Sequence, residues 1–231
     1  MAPPMSTPLR QRWKDYRHRF TRQLAGDISQ PEARRRAQRH FDIADHALLR
    51  RVWTNLFRLA PGVYRSNQPD PRRIARHAAQ GLRSIITLRG ETRYSYLLFE
   101  QEACAAHGIT LHILKTHASK PDTPETYLEL LSLFDTVERP FLIHCKSGAD
   151  RTGVASALYL IDQEGVAPEV AKRQLALRYA HRKGSKAGVL GLFLDTYAAA
   201  RARSGIGLRD WLATEYDPEA VRARFKAERG R

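Results

Sequence analysis

Apolar positions in the middle of the chain alternate between short runs and longer stretches of helical spacing. After the turn signal Ala60-Pro61-Gly62, Val63-Tyr64-Arg65-Ser66 reads as a short strand. Residues 69–80 follow as a helix with proline in its first turn, stopped by Gly81. The rhythm then repeats: a strand over 84–88, a helix over 95–107 stopped by Gly108, a strand over 109–114, and a helix over 123–137. The run Phe-Leu-Ile-His at 141–144 has the unbroken apolar character of a strand buried on both faces. Helices are predicted beyond it over 151–163, 167–179 and 188–201.

The ends of the chain read differently. Residues 1–8 have the Pro and Ser/Thr content of a disordered tail, and 9–25 and 31–56 are basic, helix-compatible stretches. In the second of these, Phe41, Ile43, Ala47, Leu48 and Val52 form the expected buried stripe. Residues 210–231 predict one or two further helices, with Trp211, Leu212, Tyr216, Val221 and Phe225 packing back. Strand–helix alternation followed by helices predicts an α/β fold. The expected architecture is a central, mostly parallel sheet of four or five short strands with helices on both sides. Basic helical extensions flank it, so the expected organisation is an extension over 1–52, a main α/β domain over 53–200 and a C-terminal helical extension over 201–231.

Charge sharpens that division. The net charge is +15, and residues 1–52 carry 12 Lys/Arg against 5 Asp/Glu, about half of the excess. Such a segment suits anionic surfaces: phosphates, acidic lipid or nucleic acid. Nucleic acid is disfavoured, because no recognised motif or interleaved stacking aromatics accompany the charge. No apolar run approaches the ~18 residues of a membrane span, and no apolar signal core follows the N-terminus. A cytoplasmic location is expected. Two cysteines, Cys104 and Cys145, provide neither a disulfide framework nor enough thiolates for zinc.

The candidate chemistry lies at His144-Cys145-Lys146-Ser147-Gly148-Ala149-Asp150-Arg151-Thr152-Gly153, where a buried strand meets a helix. A helix N-terminus presents unpaired N–H groups and the positive end of its dipole, and so holds a phosphate through backbone alone. Gly148, Ser147 and Ala149 are small enough to let the loop curl into an anion nest. Arg151 adds a planar fork for two phosphate oxygens. The same field should lower the pKa of Cys145, leaving a thiolate aimed at the bound phosphoryl group. Thr152 can hydrogen-bond the sulfur, His144 can brace the loop, and Gly153 allows the helix to pack closely.

This segment resembles the signature of the protein tyrosine phosphatase superfamily, and in particular bacterial dual-specificity-like phosphatases. The resemblance extends to Gly62-Val63-Tyr64-Arg65-Ser66-Asn67-Gln68-Pro69 and to Ile85-Ile86-Thr87-Leu88-Arg89-Gly90-Glu91, and covers about residues 53–200. It implies the family's fold, phosphomonoester hydrolysis through a cysteinyl-phosphate intermediate, and neither metal nor cofactor. It also implies a general acid on a loop upstream of the cysteine. Asp122 is the first candidate, equally readable as a helix N-cap before Thr123-Pro124. Asp150 is its rival, otherwise a charge partner for Lys146 or Arg89. Glu91 is a third candidate.

The phosphate-binding set is then Lys146, Ser147, Gly148, Ala149, Asp150, Arg151 and Thr152, with Cys145, Arg151 and Asp122 as the catalytic group. The expected partner is a phosphorylated substrate, either protein phosphotyrosine or a small or lipid phosphate. The competing classes are a non-protein phosphatase of the same mechanism and a phosphate-binding module without turnover. His181 and Lys186, in the basic stretch 179–186, are further candidates for anion contact. Cys104, in an amphipathic helix, reads as buried, with a reversible disulfide to Cys145 left open.

Overall fold

The computed structural model describes residues 28–90 and 93–229. The expectations for residues 1–25 and for Glu91 fall outside that range. Five strands form one sheet in the order β1-β2-β5-β3-β4: β1 Phe57–Ala60, β2 Val63–Asn67, β3 Ser84–Thr87, β4 Thr110–Ile113 and β5 Phe141–Cys145. The β1–β2 pair is antiparallel and the other pairings are parallel, as expected for a mostly parallel α/β sheet. The edge strand β1 was not anticipated. It follows a tight break at Asn55, whose φ is +48°, and turns at Gly62 into β2.

Helices cover both faces. Residues Phe141 and Ile143 of β5 point to one face with Ile86, Tyr127, Leu158, Phe193 and Trp211; Leu142 points to the other with Ile74, Ile85 and Cys104. The second face is covered by α3 Pro71–Ala79 and α4 Ser95–Ala106. The first is covered by α5 Pro124–Thr136, α6 Asp150–Asp162, α8 Val189–Ser204 and α9 Leu208–Thr214. Trp211, Leu212, Tyr216 and Val221 are buried in the same core, the last on α10 Pro218–Arg229, with Phe225 packed against it.

Two predicted helices break. The 31–56 stretch becomes α1 Pro31–Arg39, a wide turn at His40–Ala44 and α2 Ala47–Val52, because His46 takes a left-handed φ of +63°. Only Phe41 and Ala47 of the expected stripe are buried; Ile43, Leu48 and Val52 are exposed. The 167–179 stretch keeps a single helical turn, α7 Pro168–Ala171, followed by tight turns at Lys172–Gln174 and Leu177–Tyr179. Its backbone is diverted where the Gln174 carbonyl accepts a 2.9 Å hydrogen bond from Arg65.

Candidate active site

The predicted phosphate loop grows from β5, the strand at the centre of the sheet. Cys145 ends β5 and Asp150 begins α6, so four residues make the turn between strand and helix. The turn depends on Gly148. Its φ is +72°, and a Cβ there would lie 2.6 Å from the Ser66 carbonyl oxygen and 2.7 Å from the Asn67 nitrogen. Gly153 serves a second close approach, where a Cβ would meet the Leu175 side chain at 2.5 Å and the Gln174 carbonyl at 2.9 Å.

Cys145 is buried, and burial alone would push its thiol pKa up. The Arg151 charge, the Thr152 hydroxyl and backbone N–H groups of Thr152 and Gly148 outweigh that effect and hold the pKa below its ordinary value. Thr152 is fully buried. Arg151 donates from Nη1 to the Leu88 carbonyl at 3.0 Å, while its Nε is buried without a hydrogen-bond partner among the described residues. The guanidinium is therefore fixed on one side and has donor capacity to spare. His144 is buried with Nδ1 3.3 Å from the Cys145 carbonyl oxygen and Nε2 2.6 Å from Glu100 Oε1.

Residues not singled out from sequence support the loop from beneath. Arg65, wholly buried on β2, donates to the Gly148 carbonyl at 2.5 Å and to the Gln174 carbonyl and Oε1 at 2.9 and 2.8 Å. Its guanidinium sits 3.9 Å from the Tyr179 ring centroid. Burial pulls its pKa down to about 10, opposed by Tyr179 and by the Cys145 sulfur. Asn55 ties the Ser147 carbonyl to that of Tyr179 at 3.0 and 3.1 Å. The only sequence signal for Arg65 was a charged residue inside an otherwise strand-like run.

The acidic candidates separate. Asp122 lies on the connection from β4 to α5, at the carboxyl edge of the sheet where Cys145 also lies, with β3 between their strands. It is not the helix cap: Thr123 takes that position, its Oγ1 accepting from Thr126 N at 3.4 Å. The buried Asp122 carboxylate instead accepts from His117 N at 3.0 Å and lies 2.5 Å from His117 Nδ1. Tyr216 from beyond α9 donates to the Asp122 carbonyl at 2.8 Å, and Asp122 N donates to the Tyr127 hydroxyl at 3.2 Å.

Asp150 pairs with His181 Nδ1 at 2.7 Å. The expected pairing of Asp150 with Lys146 or Arg89 is thus corrected: both cations meet Asp45, at 3.3 Å and 2.8 Å. His181 is buried in that pair, and Lys186 is exposed on the turn Lys186–Gly188. Lys146 and Ser147 are half-buried at the loop's rim, and Ala149 is buried where α6 begins. Cys104 is buried on the other face of the sheet from Cys145, which removes the disulfide between them. Burial and the nearby Glu100 raise its thiol pKa to about 12. Among the described residues no cluster of three or more His, Cys, Asp or Glu side chains is placed to hold a metal ion. No helix among them is long and apolar enough to cross a membrane.

A five-stranded α/β sheet that brings a buried cysteine and an arginine to a helix N-terminus is the arrangement expected of the protein tyrosine phosphatase type. Residues 53–187 match the family described as PTP-SAK, Swiss Army Knife protein, DSP-PTPase phosphatase domain, and the chain belongs to this dual-specificity-like family. It is 31% identical over 183 residues to the dual specificity protein phosphatase TpbA of Pseudomonas aeruginosa, covering 71% of this chain and 78% of that one. It is 37% identical over 97 residues to the inositol diphosphatase DSP1 of Oryza sativa subsp. japonica, covering 40% and 42% of the two chains. The fold is similar to that of Tk-PTP in its active form, with a TM-score of 0.52 at 16% identity over 64% of this chain and 99% of that one.

Proposed function

We propose that the protein hydrolyses phosphomonoesters through a phosphocysteine on Cys145, without a metal ion. What supports this most is the placement of Cys145 at the end of the central strand, against the N-terminus of α6, where Arg151 and Thr152 lower a thiol pKa that burial alone would raise. The thiolate is the form that attacks phosphorus. In the first step Cys145 Sγ forms the S–P bond as the ester oxygen leaves, taking a proton from Asp122. In the second, water attacks phosphorus, Asp122 recovers a proton, and the thiolate departs. The N–H groups of residues 146–151 and the Arg151 fork take up the charge on the phosphoryl oxygens in both transition states.

For Asp122 to reach the leaving oxygen its carboxyl must turn away from His117. Its place on the connection after β4 supports this role, because a loop above the nest can lie opposite the sulfur. Asp150, on the nest's own helix and held by His181, is less well placed. The substrate in this reading is a phosphorylated protein side chain, in keeping with the dual specificity protein phosphatase to which the chain is similar. The alternative is a phosphoinositide or other non-protein phosphate; the inositol diphosphatase relative supports a phosphorylated inositol. The basic extension adds contact with anionic surfaces, and a cytoplasmic setting would keep Cys145 reduced.

The test is a substrate panel of phosphotyrosine peptide, phosphoserine peptide, aryl phosphate and phosphoinositide, with and without chelator and vanadate. Metal-independent, vanadate-sensitive turnover that Cys145→Ser abolishes is expected. Full activity of Cys145→Ser would end the proposal.

A further inference from the structure

Beside the phosphate loop, three cations converge on one carboxylate. Arg89 grips Asp45 with both terminal nitrogens, at 2.8 and 3.0 Å. Arg50 Nη2 donates to Asp45 Oδ2 at 2.8 Å, and Lys146 Nζ lies 3.3 Å from Oδ1. Asp45, Arg50 and Arg89 are almost fully buried, whereas the Lys146 side chain is 36% exposed. The cluster therefore opens to solvent on the side of Lys146, the residue next to Cys145. Arg89 and Lys146 belong to the span that matches the phosphatase family; Asp45 lies before it.

The segment carrying Asp45 is docked deliberately. Arg34 makes two 2.8 Å bonds to Glu102 on α4, Phe41 packs on Phe99 at 5.7 Å between centroids, and His40 Nδ1 lies 2.8 Å from Ser95 Oγ. The left-handed His46 then breaks the helix immediately after Asp45. A planar guanidinium fork plus an ammonium group is donor chemistry suited to phosphate as well as to carboxylate. An Asp in that place fills it with an anion tethered to the chain.

We propose that Arg89 and Lys146 form a second phosphate subsite beside the catalytic loop, and that Asp45 occupies it as an internal anion. The device makes Asp45 a specificity-determining residue: substrates with a single phosphate enter, and those with a second, nearby phosphate are turned away by a like charge already in place. This rests on the reading of the Cys145 loop as the hydrolytic site.

The experiment measures binding of tripolyphosphate and orthophosphate by calorimetry in the Cys145→Ser background, with and without Asp45→Asn. Opening the subsite should tighten tripolyphosphate by about tenfold and steepen its salt dependence, while orthophosphate changes by less than about threefold. Equal shifts for both anions, or none for tripolyphosphate, would overturn the subsite. Asp45→Asn leaves the buried Arg50 without its counter-charge, so Asp45→Asn/Arg50→Met is measured beside it, with the circular dichroism melt recorded for each. The folded double variant should show the same selective gain, and its absence there also overturns the proposal. Aryl phosphate turnover by the unaltered protein tests the hydrolytic reading separately. Turnover without the selective gain sinks the subsite alone; the selective gain without turnover supports the subsite and sinks the hydrolytic reading.

Discussion

Replacing Arg65 by Met should loosen the phosphate loop without touching any atom that meets substrate. Arg65 satisfies three acceptors, the Gly148 carbonyl, the Gln174 carbonyl and Gln174 Oε1, and stacks on Tyr179. Hydrogen bonds from a charged donor contribute roughly 1.5–3 kcal/mol each, and the Gly148 carbonyl left behind is buried. Against this stands the cost of burying the guanidinium, visible in its pKa of about 10. The net loss is about 2–4 kcal/mol, which in a chain of this size lowers Tm by roughly 5–15 °C.

The second effect is electrostatic. The Cys145 sulfur favours the charged form of Arg65, and the attraction is mutual, so the thiol pKa should rise when the cation is removed. The assay is the rate of iodoacetamide alkylation of Cys145 against pH, alongside a thermal melt. Slower alkylation at neutral pH, with the midpoint displaced upward, is the expected result. An unchanged melt together with an unchanged alkylation profile would refute the assignment of Arg65 as the loop's support.

Gly148→Ala should abolish turnover and vanadate binding, since its Cβ would stand 2.6–2.7 Å from backbone atoms of Ser66 and Asn67; retained vanadate affinity would contradict the nest geometry. Arg151→Lys keeps the charge and loses the fork, so kcat/KM should fall by at least ~2 kcal/mol in transition-state terms, and a change within about threefold would exclude the clamp. Asp122→Asn should lose far more activity on an alkyl phosphate than on a nitrophenyl phosphate; equal losses would pass the role to Asp150. Because the Cys145 pKa is lowered on folding, the native state binds fewer protons than the unfolded chain just below pH 9.0. Stability conferred by that thiolate should therefore grow as pH rises through this window and vanish as pH falls below the folded pKa. The Tm difference between the unaltered protein and Cys145→Ser, measured across the window, checks that sign.

The parts legible in the sequence were those encoded by contiguous residues. Strands β3 and β5 announced themselves as short apolar runs, and the candidate catalytic loop is ten successive residues whose chemistry is local. Strand β1 was hidden because Phe57-Arg58-Leu59-Ala60 is a short edge strand, with only Ala60 buried. The 167–179 helix fails for a tertiary reason: Gly153 admits the Gln174 carbonyl and the Leu175 side chain against α6, and Arg65 captures the Gln174 carbonyl. Helical spacing carries no record of that contact. Asp45 was equally invisible, since its cationic partners are 5, 44 and 101 residues away, and only a left-handed turn at His46 brings it to them. Asp122 was half legible. Its neighbour Thr123 took the cap, leaving its own carboxylate to His117.

The central claim is a covalent phosphoryl group on Cys145. Asp122→Ala protein mixed with an aryl phosphate and acid-quenched within the first turnover should carry the added mass of one phosphoryl group. Peptide mass spectrometry should place that group on the fragment containing Cys145, and Cys145→Ser should not form it. A phosphoryl group on any other residue, or turnover with no covalent adduct that ceases on adding chelator, would contradict the account.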